Sequence, residues 1–133
     1  MSESVEYLEL ADLLMAAQGF LGHHPEVRDY GLLESALARP KATVFGEDAY
    51  PGIHEKAAAL LDSLVNNHAL VDGNKRLGWV AVRLFYGFNG YRVCASEDEK
   101  VGLVVDVAAG ELNDVSKIAH KLSTFFSPIQ TLA

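Results

Sequence analysis

The chain has 133 residues, 50% of them hydrophobic, with 11 Lys and Arg against 18 Asp and Glu and a formal net charge of −7. That is the size of one domain, spanning residues 1–133, with ample apolar sequence for a single core. The single cysteine, Cys94, excludes an internal disulfide framework and fits a reducing cytoplasm. An acidic balance argues against a general nucleic-acid binder, no apolar run approaches the roughly 20 residues that span a bilayer, and the polar start Met1–Ser4 does not look like a signal peptide.

Leu10, Leu13, Leu14, Ala17, Phe20 and Leu21 recur at helical spacing, which predicts a first helix from about Val5 to Leu21, stopped at Gly22. His23-His24-Pro25 reads as an exposed turn, because no third ligand stands nearby at metal-site spacing. Asp29 is placed to cap a short helix over Tyr30–Ala38, which Pro40 ends. From Lys41 to Gly52, β-branched and aromatic residues mix with turn formers, so a loop or short hairpin is expected. On residue chemistry alone this is a connector with Phe45 and Tyr50 packed on the core.

Two strongly periodic segments follow, about Ile53 to Asn67 and Asn74 to Phe88. Their matched apolar stripes predict an antiparallel pair. Trp79 belongs to the core or its rim and is not expected to be a nucleobase platform, and Asn66 and Asn67 read as an ordinary helix end. Gly90 closes the second helix, and Tyr91-Arg92-Val93 is short and extended. Ser96 and Glu99 make a capping box for a helix running to about Ala109, with Val101, Val104, Val105 and Ala108 inward. Asn113 is expected to cap a last helix carrying Val115, Ile118, Ala119, Leu122 and Phe125, with His120 facing solvent. The tail from Phe126 to Ala133 is apolar without period, and either packs back or forms a partner surface.

The chemistry concentrates between the two central segments, in His68-Ala69-Leu70-Val71-Asp72-Gly73-Asn74-Lys75-Arg76. His68 follows Leu64 by four residues, so it is expected to continue the first stripe to the inner mouth of the connection. The second helix should begin near Asn74, with unpartnered N–H groups and partial positive charge at its start. Gly73 allows backbone amides to approach a ligand closely. Lys75 and Arg76 oppose the helix dipole, and such a break with local preference marks a candidate site. Amides, dipole and two cations describe an anion pocket suited to phosphate. Asp72 offers the hard oxygen that magnesium uses beside substrate phosphates, and His68 can serve as a general base. A turn with an N-cap and two solvated cations accounts for the same residues without any chemistry.

His68 to Arg76 resembles the signature of the Fic/Doc family, H-x-F-x-[D/E]-G-N-[G/K]-R, set between two central helices. Lys75, where most Fic proteins carry glycine, resembles the Doc branch. Further likeness lies in Ala57–Leu64, in Asn89-Gly90-Tyr91, and in Arg28-Asp29-Tyr30-Gly31-Leu32-Leu33 with Ala36-Leu37-Ala38-Arg39-Pro40, so that it covers most of the chain. The resemblance implies an all-α, compact bundle of about six helices, with the Lys41–Gly52 segment as a short flap beside the active site. Leu70 replaces the family's core-anchoring phenylalanine and buries less area. Trp79 replaces a second arginine that holds phosphates in adenylyl transferases, which weighs against adenylyl transfer.

What the resemblance implies for function is a toxin kinase of a toxin–antitoxin module. It would move the γ-phosphate of ATP to a Ser or Thr hydroxyl of a translation factor, elongation factor Tu in the family, and arrest growth. His68 would take the hydroxyl proton and Asp72 would hold Mg2+. Gly73, Asn74, Lys75 and Arg76 would bind the nucleotide phosphates, with Lys75 and Arg76 also stabilising charge in transfer. A lysine at 75 fills the room that glycine leaves for phosphates, and in the Doc branch this accompanies a reversed nucleotide. A Phd-like antitoxin would inhibit in trans, since the chain shows no inhibitory helix of its own. The alternatives are a protein adenylyl transferase and a catalytically inactive antitoxin-binding module.

Overall fold

The computed structural model describes residues 4–130; Met1–Glu3 and Thr131–Ala133, the ends of two segments read above, lie outside them. Six α-helices are present among the described residues: α1 Leu10–Leu21, α2 Tyr30–Ala38, α3 Ile53–Asn66, α4 Asn74–Phe88, α5 Glu97–Ala108 and α6 Val115–Phe125. Two short antiparallel pairs complete the fold, β1 (Thr43–Val44) with β2 (Glu47–Asp48) and β3 (Tyr91–Val93) with β4 (Phe126–Pro128). This is the mostly helical bundle expected, and the boundaries of α2 and α4 fall where the sequence places them.

The core is organised on α3 and α4. From Lys56 to Leu61 every residue of α3 is buried, so this helix is enclosed on all sides. The pair is antiparallel: Gly78, early in α4, meets Leu61 and Val65 late in α3, whereas Tyr86, late in α4, bonds His54 at the start of α3. Gly78 sets the approach distance, since a Cβ there would lie 2.8 Å from Val65 Cγ2 and 3.3 Å from Leu61 Cδ1. Tyr86 is fully buried, stacks on Phe126 with ring centroids 3.9 Å apart, and meets His54 Nδ1 at 2.7 Å. Burial raises the Tyr86 phenol far above its usual range and lowers the His54 imidazole.

Several expectations are corrected. The first helix starts at Leu10 and not at Val5: Asn89 accepts the Glu6 N–H and donates to the Glu6 carbonyl, holding that segment extended, and a Glu9–Asp12 capping box opens α1. The last helix is capped by Asp114, whose side chain accepts from the Ser116 N–H, and not by Asn113. On α5 the buried stripe is Leu103, Val104 and Val107, while Val101 and Val105 are 59% and 50% exposed and Ala108 is also outside the core. The helix carries a second apolar stripe about 100° around from the core-facing one. The tail packs back in part, with Phe126 buried and β4 paired to β3.

The Lys41–Gly52 segment is a hairpin. Phe45 and Gly46 have φ of 53° and 80°, the positive pair that two-residue I′-type turns use. Phe45 is fully exposed, against the expectation that it packs on the core, whereas Tyr50 is half-buried and accepts a hydrogen bond from Arg39 Nε at 3.1 Å. The hairpin is tied down at its base. Lys56, buried in α3, donates to Asp48 at 3.0 Å and to the Tyr50 carbonyl. Arg39 reaches Asp62 at 2.8 Å and Ser63 at 3.0 Å; burial opposes its charge, but the Asp62 and Tyr50 contacts prevail and its pKa is raised.

Candidate active site

The connection between α3 and α4 is held from inside. Ala69 and Leu70 are buried, so leucine fills the core position that phenylalanine takes in the family. The Leu70 N–H donates to Asn74 Oδ1 and the Leu70 carbonyl accepts from Asn74 Nδ2, both at 2.9 Å. The side chain of Asn74 is therefore a clamp on the loop, and only its backbone amide is free to face a phosphate. The loop's other polar groups meet the segment before α2: Arg28 and Asp29 donate their N–H groups to the Ala69 carbonyl, and the Val71 N–H donates to the Glu26 carbonyl. Val27 and Leu70 form an isolated antiparallel bridge. Every buried backbone group of Ala69 to Val71 named here thus has a partner, and the loop's path is fixed.

Gly73 precedes α4 with φ of 93°, a left-handed conformation that glycine adopts at no steric cost. Its Cβ direction faces the protein and not a ligand, since an added Cβ would lie 3.0 Å from the Phe20 ring. The first backbone bond of α4 runs from the Leu77 N–H to the Gly73 carbonyl at 2.8 Å, so the amides of Asn74, Lys75 and Arg76 precede the helical ladder. Lys75 and Arg76 are exposed, and neither takes part in the three ion pairs found among the described residues. Arg76 lies over the Phe20 ring at 5.0 Å, which holds its guanidinium near the helix start.

His68 does not continue the α3 stripe. The helix ends at Asn66, and His68 takes a left-handed backbone with φ of 53° and an exposed side chain. Helical register is lost at that point, which turns the imidazole to the surface while the next two residues enter the core. Asp72 is exposed and is in none of those ion pairs. It lines a small cavity of about 190 Å³ with Leu21, His23, Glu26 and Val71. Lys75 and Arg76 instead border a larger cleft of about 450 Å³ between α4 and α5, whose α4 wall continues through Trp79 and Arg83. The structure thus brings the two cations together on one cleft, places Asp72 on a neighbouring cavity, and leaves His68 on the surface of the same clamped loop, outside both.

Among the described residues there is no group of three or more His, Cys, Asp or Glu that could hold a metal alone. Magnesium bound beside nucleotides takes one or two carboxylates and completes its shell with phosphates and water. The open Asp72 carboxylate fits that mode and no other. Sequence reasoning missed the part played by Glu26 to Arg28, because a single bridging pair carries no periodicity. It also missed Arg83, two turns along α4 from Arg76, and Lys100, which only the packing of α5 on α4 brings to the same cleft.

The fold and site define a helical domain whose central antiparallel pair is joined by a clamped H-x-L-x-D-G-N-K-R connection, with two exposed cations at the start of the second helix. The model of the Fic/DOC family matches residues 3–86, the segment that contains this connection. Over 128 residues the chain is 48% identical to the Toxin Doc of Mycolicibacterium smegmatis, covering 95% of this chain and 98% of that protein. The chain belongs to the Fic/Doc family. No helix among the described residues is long and apolar enough to cross a membrane.

Proposed function

We propose that the protein is the toxin of a toxin–antitoxin pair and acts as a phosphotransferase, moving the γ-phosphate of ATP to a Ser or Thr hydroxyl of a translation factor such as elongation factor Tu. The observation that carries this reading is the start of α4, where amides outside the helical ladder, the helix dipole and two cations in no ion pair among the described residues stand together. Such a cradle stabilises charge on a transferring phosphoryl group without reorganising. Lys75 in place of glycine and Trp79 in place of an arginine favour phosphoryl over adenylyl transfer.

In this reading the γ-phosphate rests against the amides of Asn74 to Arg76, with the Lys75 and Arg76 side chains on its oxygens. His68, exposed beside the loop, accepts the proton of the incoming hydroxyl. Asp72 would hold Mg2+, which supplies charge neutralisation on the phosphates when bound. The exposed hairpin, with Val44 and Phe45 at its tip, offers backbone and apolar surface to an extended segment of the target. A Phd-like antitoxin silences the protein in trans.

Incubation of the protein and a bacterial lysate with ATP labelled at either the α or the γ position tests the reading. Protein-bound label from the γ position alone is expected, lost in His68→Ala. Retention of α label would replace phosphoryl by adenylyl transfer.

A further inference from the structure

Among the described residues Lys56 is the one charged residue that is buried, at 1% exposure, near the start of α3 among the alanines and leucines of the core. A charge in such a place is costly unless it is paired and hydrogen-bonded. Both partners of its ammonium belong to the hairpin segment: Asp48 on β2 at 3.0 Å, and the Tyr50 carbonyl two residues further on. The Asp48 side chain is 51% exposed and keeps its contact with water whether or not the lysine is there. Replacing a buried ion by an apolar side chain of similar volume is commonly neutral or stabilising. The Lys56 charge therefore gives the core nothing that a methionine would not give, and what it fixes is the place where the hairpin leaves the body of the protein.

The hairpin cannot fix that place by itself. Its strands pair over two residues each and are exposed, and an isolated two-stranded ribbon is marginal in water. Arg39 holds the same exit from a second side: its guanidinium lies 5.6 Å from the Tyr50 ring centroid, donates to the Tyr50 hydroxyl, and is anchored on α3 by Asp62. The helix that carries Lys56 and Asp62 runs on to Asn66 and into the α3–α4 connection. One rigid element thus sets both the hairpin and the connection. We propose that Lys56 is a positioning residue for the protein target: its buried ammonium keeps the β1–β2 hairpin in register with the connection, so that a segment received on the hairpin presents its hydroxyl to His68. The inference rests on the reading of the hairpin as the target-binding surface. At 1% exposure Lys56 itself cannot meet the target. A hairpin released from it is in place for only part of the time, and apparent affinity falls by that fraction while the productive complex, once formed, is unchanged.

Steady-state transfer from γ-labelled ATP to purified elongation factor Tu, with factor and ATP varied separately, tests the proposal on the full-length protein and on Lys56→Met, Asp48→Ala and the double variant. In Lys56→Met the KM for the factor should rise roughly fivefold or more, as if the hairpin were in place about a fifth of the time. The kcat and the KM for ATP should be unchanged, and the melting temperature should be no lower than that of the wild type. Asp48→Ala should raise the same KM. The double variant should be no weaker than Lys56→Met, because both changes remove one shared interaction. An unchanged KM in a folded Lys56→Met protein would overturn the proposal, as would KM increases that multiply in the double variant, or a fall in kcat at constant KM. Should Lys56→Met fail to fold, the exposed Asp48 decides: Asp48→Asn still accepts from the ammonium and should restore the KM that Asp48→Ala loses, and equal losses in the two would count against Lys56. No transfer by the wild-type protein from either labelled position of ATP would remove the function reading and this one together. Transfer of the α label would discard the kinase alone, with the same KM comparison then made on that label.

Discussion

Two surface segments flank the central helices and are built in opposite ways. The α3–α4 connection buries Ala69 and Leu70, is clamped by Asn74 and is bridged by Val27. The β1–β2 hairpin is exposed along its whole length and is fastened only below its turn, by Lys56 and Arg39. One segment is fixed by the core in a set shape, and the other is a short ladder with an uncovered apolar tip. Groups that act on a transferring phosphate must be held before it arrives. A surface that receives a partner has to leave its edge and side chains uncovered. On the proposed function, the contrast suits the first segment to chemistry and the second to recognition.

The largest effect expected from breaking this division is at His68. His68→Ala should lower phosphoryl transfer by roughly 10²–10⁴-fold, the usual contribution of a general base, with no loss of stability because the side chain is exposed. His68→Gly should be equally inactive and melt at or above the wild-type temperature, since φ of 53° is strained for a side-chain-bearing residue. Calorimetry and labelled-ATP assays on the two variants give the answer. A glycine variant that melts well below the alanine one would show that no strain is held there.

Next come the two anchors. Asn74→Ala removes both amide bonds to Leu70 and leaves a part-buried N–H without its partner, so about 2–3 kcal/mol of stability should be lost together with activity. Leu70→Ala should cost about 2–5 kcal/mol through the cavity it opens. Lys56→Met keeps the buried stem and removes the ammonium that holds Asp48 and Tyr50. Its effect should stay local, appearing as faster amide exchange in 43–48 with only a small change in the denaturation midpoint. Equal global losses for Asn74→Ala and Lys56→Met would erase the distinction between the segments.

How far the sequence alone reveals this arrangement follows from the range of the forces involved. The boundaries of α2 and α4, the Ser96–Glu99 capping box and the central stripes are local or periodic, and they are legible. The helical start at Leu10 is not, because Asn89 pulls Glu6 out of helix from 83 residues away. The same holds for Val101 and Val105. Two apolar stripes on α5 are equivalent until α4 and α3 choose one, and the unchosen stripe becomes a cleft wall. His68 was misplaced for a related reason: spacing of four continues a stripe only while the helix lasts, and the chain leaves helix just before it. The motif marked the residues of the connection, while packing decided that Asn74 is a clamp and that Gly73 turns its Cβ direction toward Phe20.

A smaller effect isolates recognition. Phe45→Ser should change stability by no more than about 0.5 kcal/mol, as expected for an exposed residue. The apparent KM for the protein target should rise about tenfold, the cost of losing an aromatic contact at an interface, with ADP affinity unchanged. Steady-state assays with target and nucleotide varied separately resolve the two. A fall in kcat at constant KM would move the hairpin into the chemistry.

The smallest effect concerns the far end of the helical pair. His54, in the first turn of α3, bonds Tyr86 near the end of α4, away from the α3–α4 connection. Burial lowers its pKa in the fold. The unfolded chain therefore binds a proton first as pH falls, and stability declines from about pH 6.5, the ordinary value for histidine, until the lowered folded value is passed. Above that window His54 is neutral in both states and contributes no pH dependence. His54→Asn places an amide oxygen where Nδ1 was and cannot titrate there, so its stability should fall less steeply between pH 6.5 and the acid end of the window, even though some ring packing on Tyr86 and Tyr91 is lost. The pH profile of transfer should be the same in both proteins, because the proposed proton acceptor, His68, lies on the connection at the other end. Denaturation and activity followed across the same buffers make the comparison, and an activity profile that moved with His54→Asn would show that the two ends of the pair are coupled.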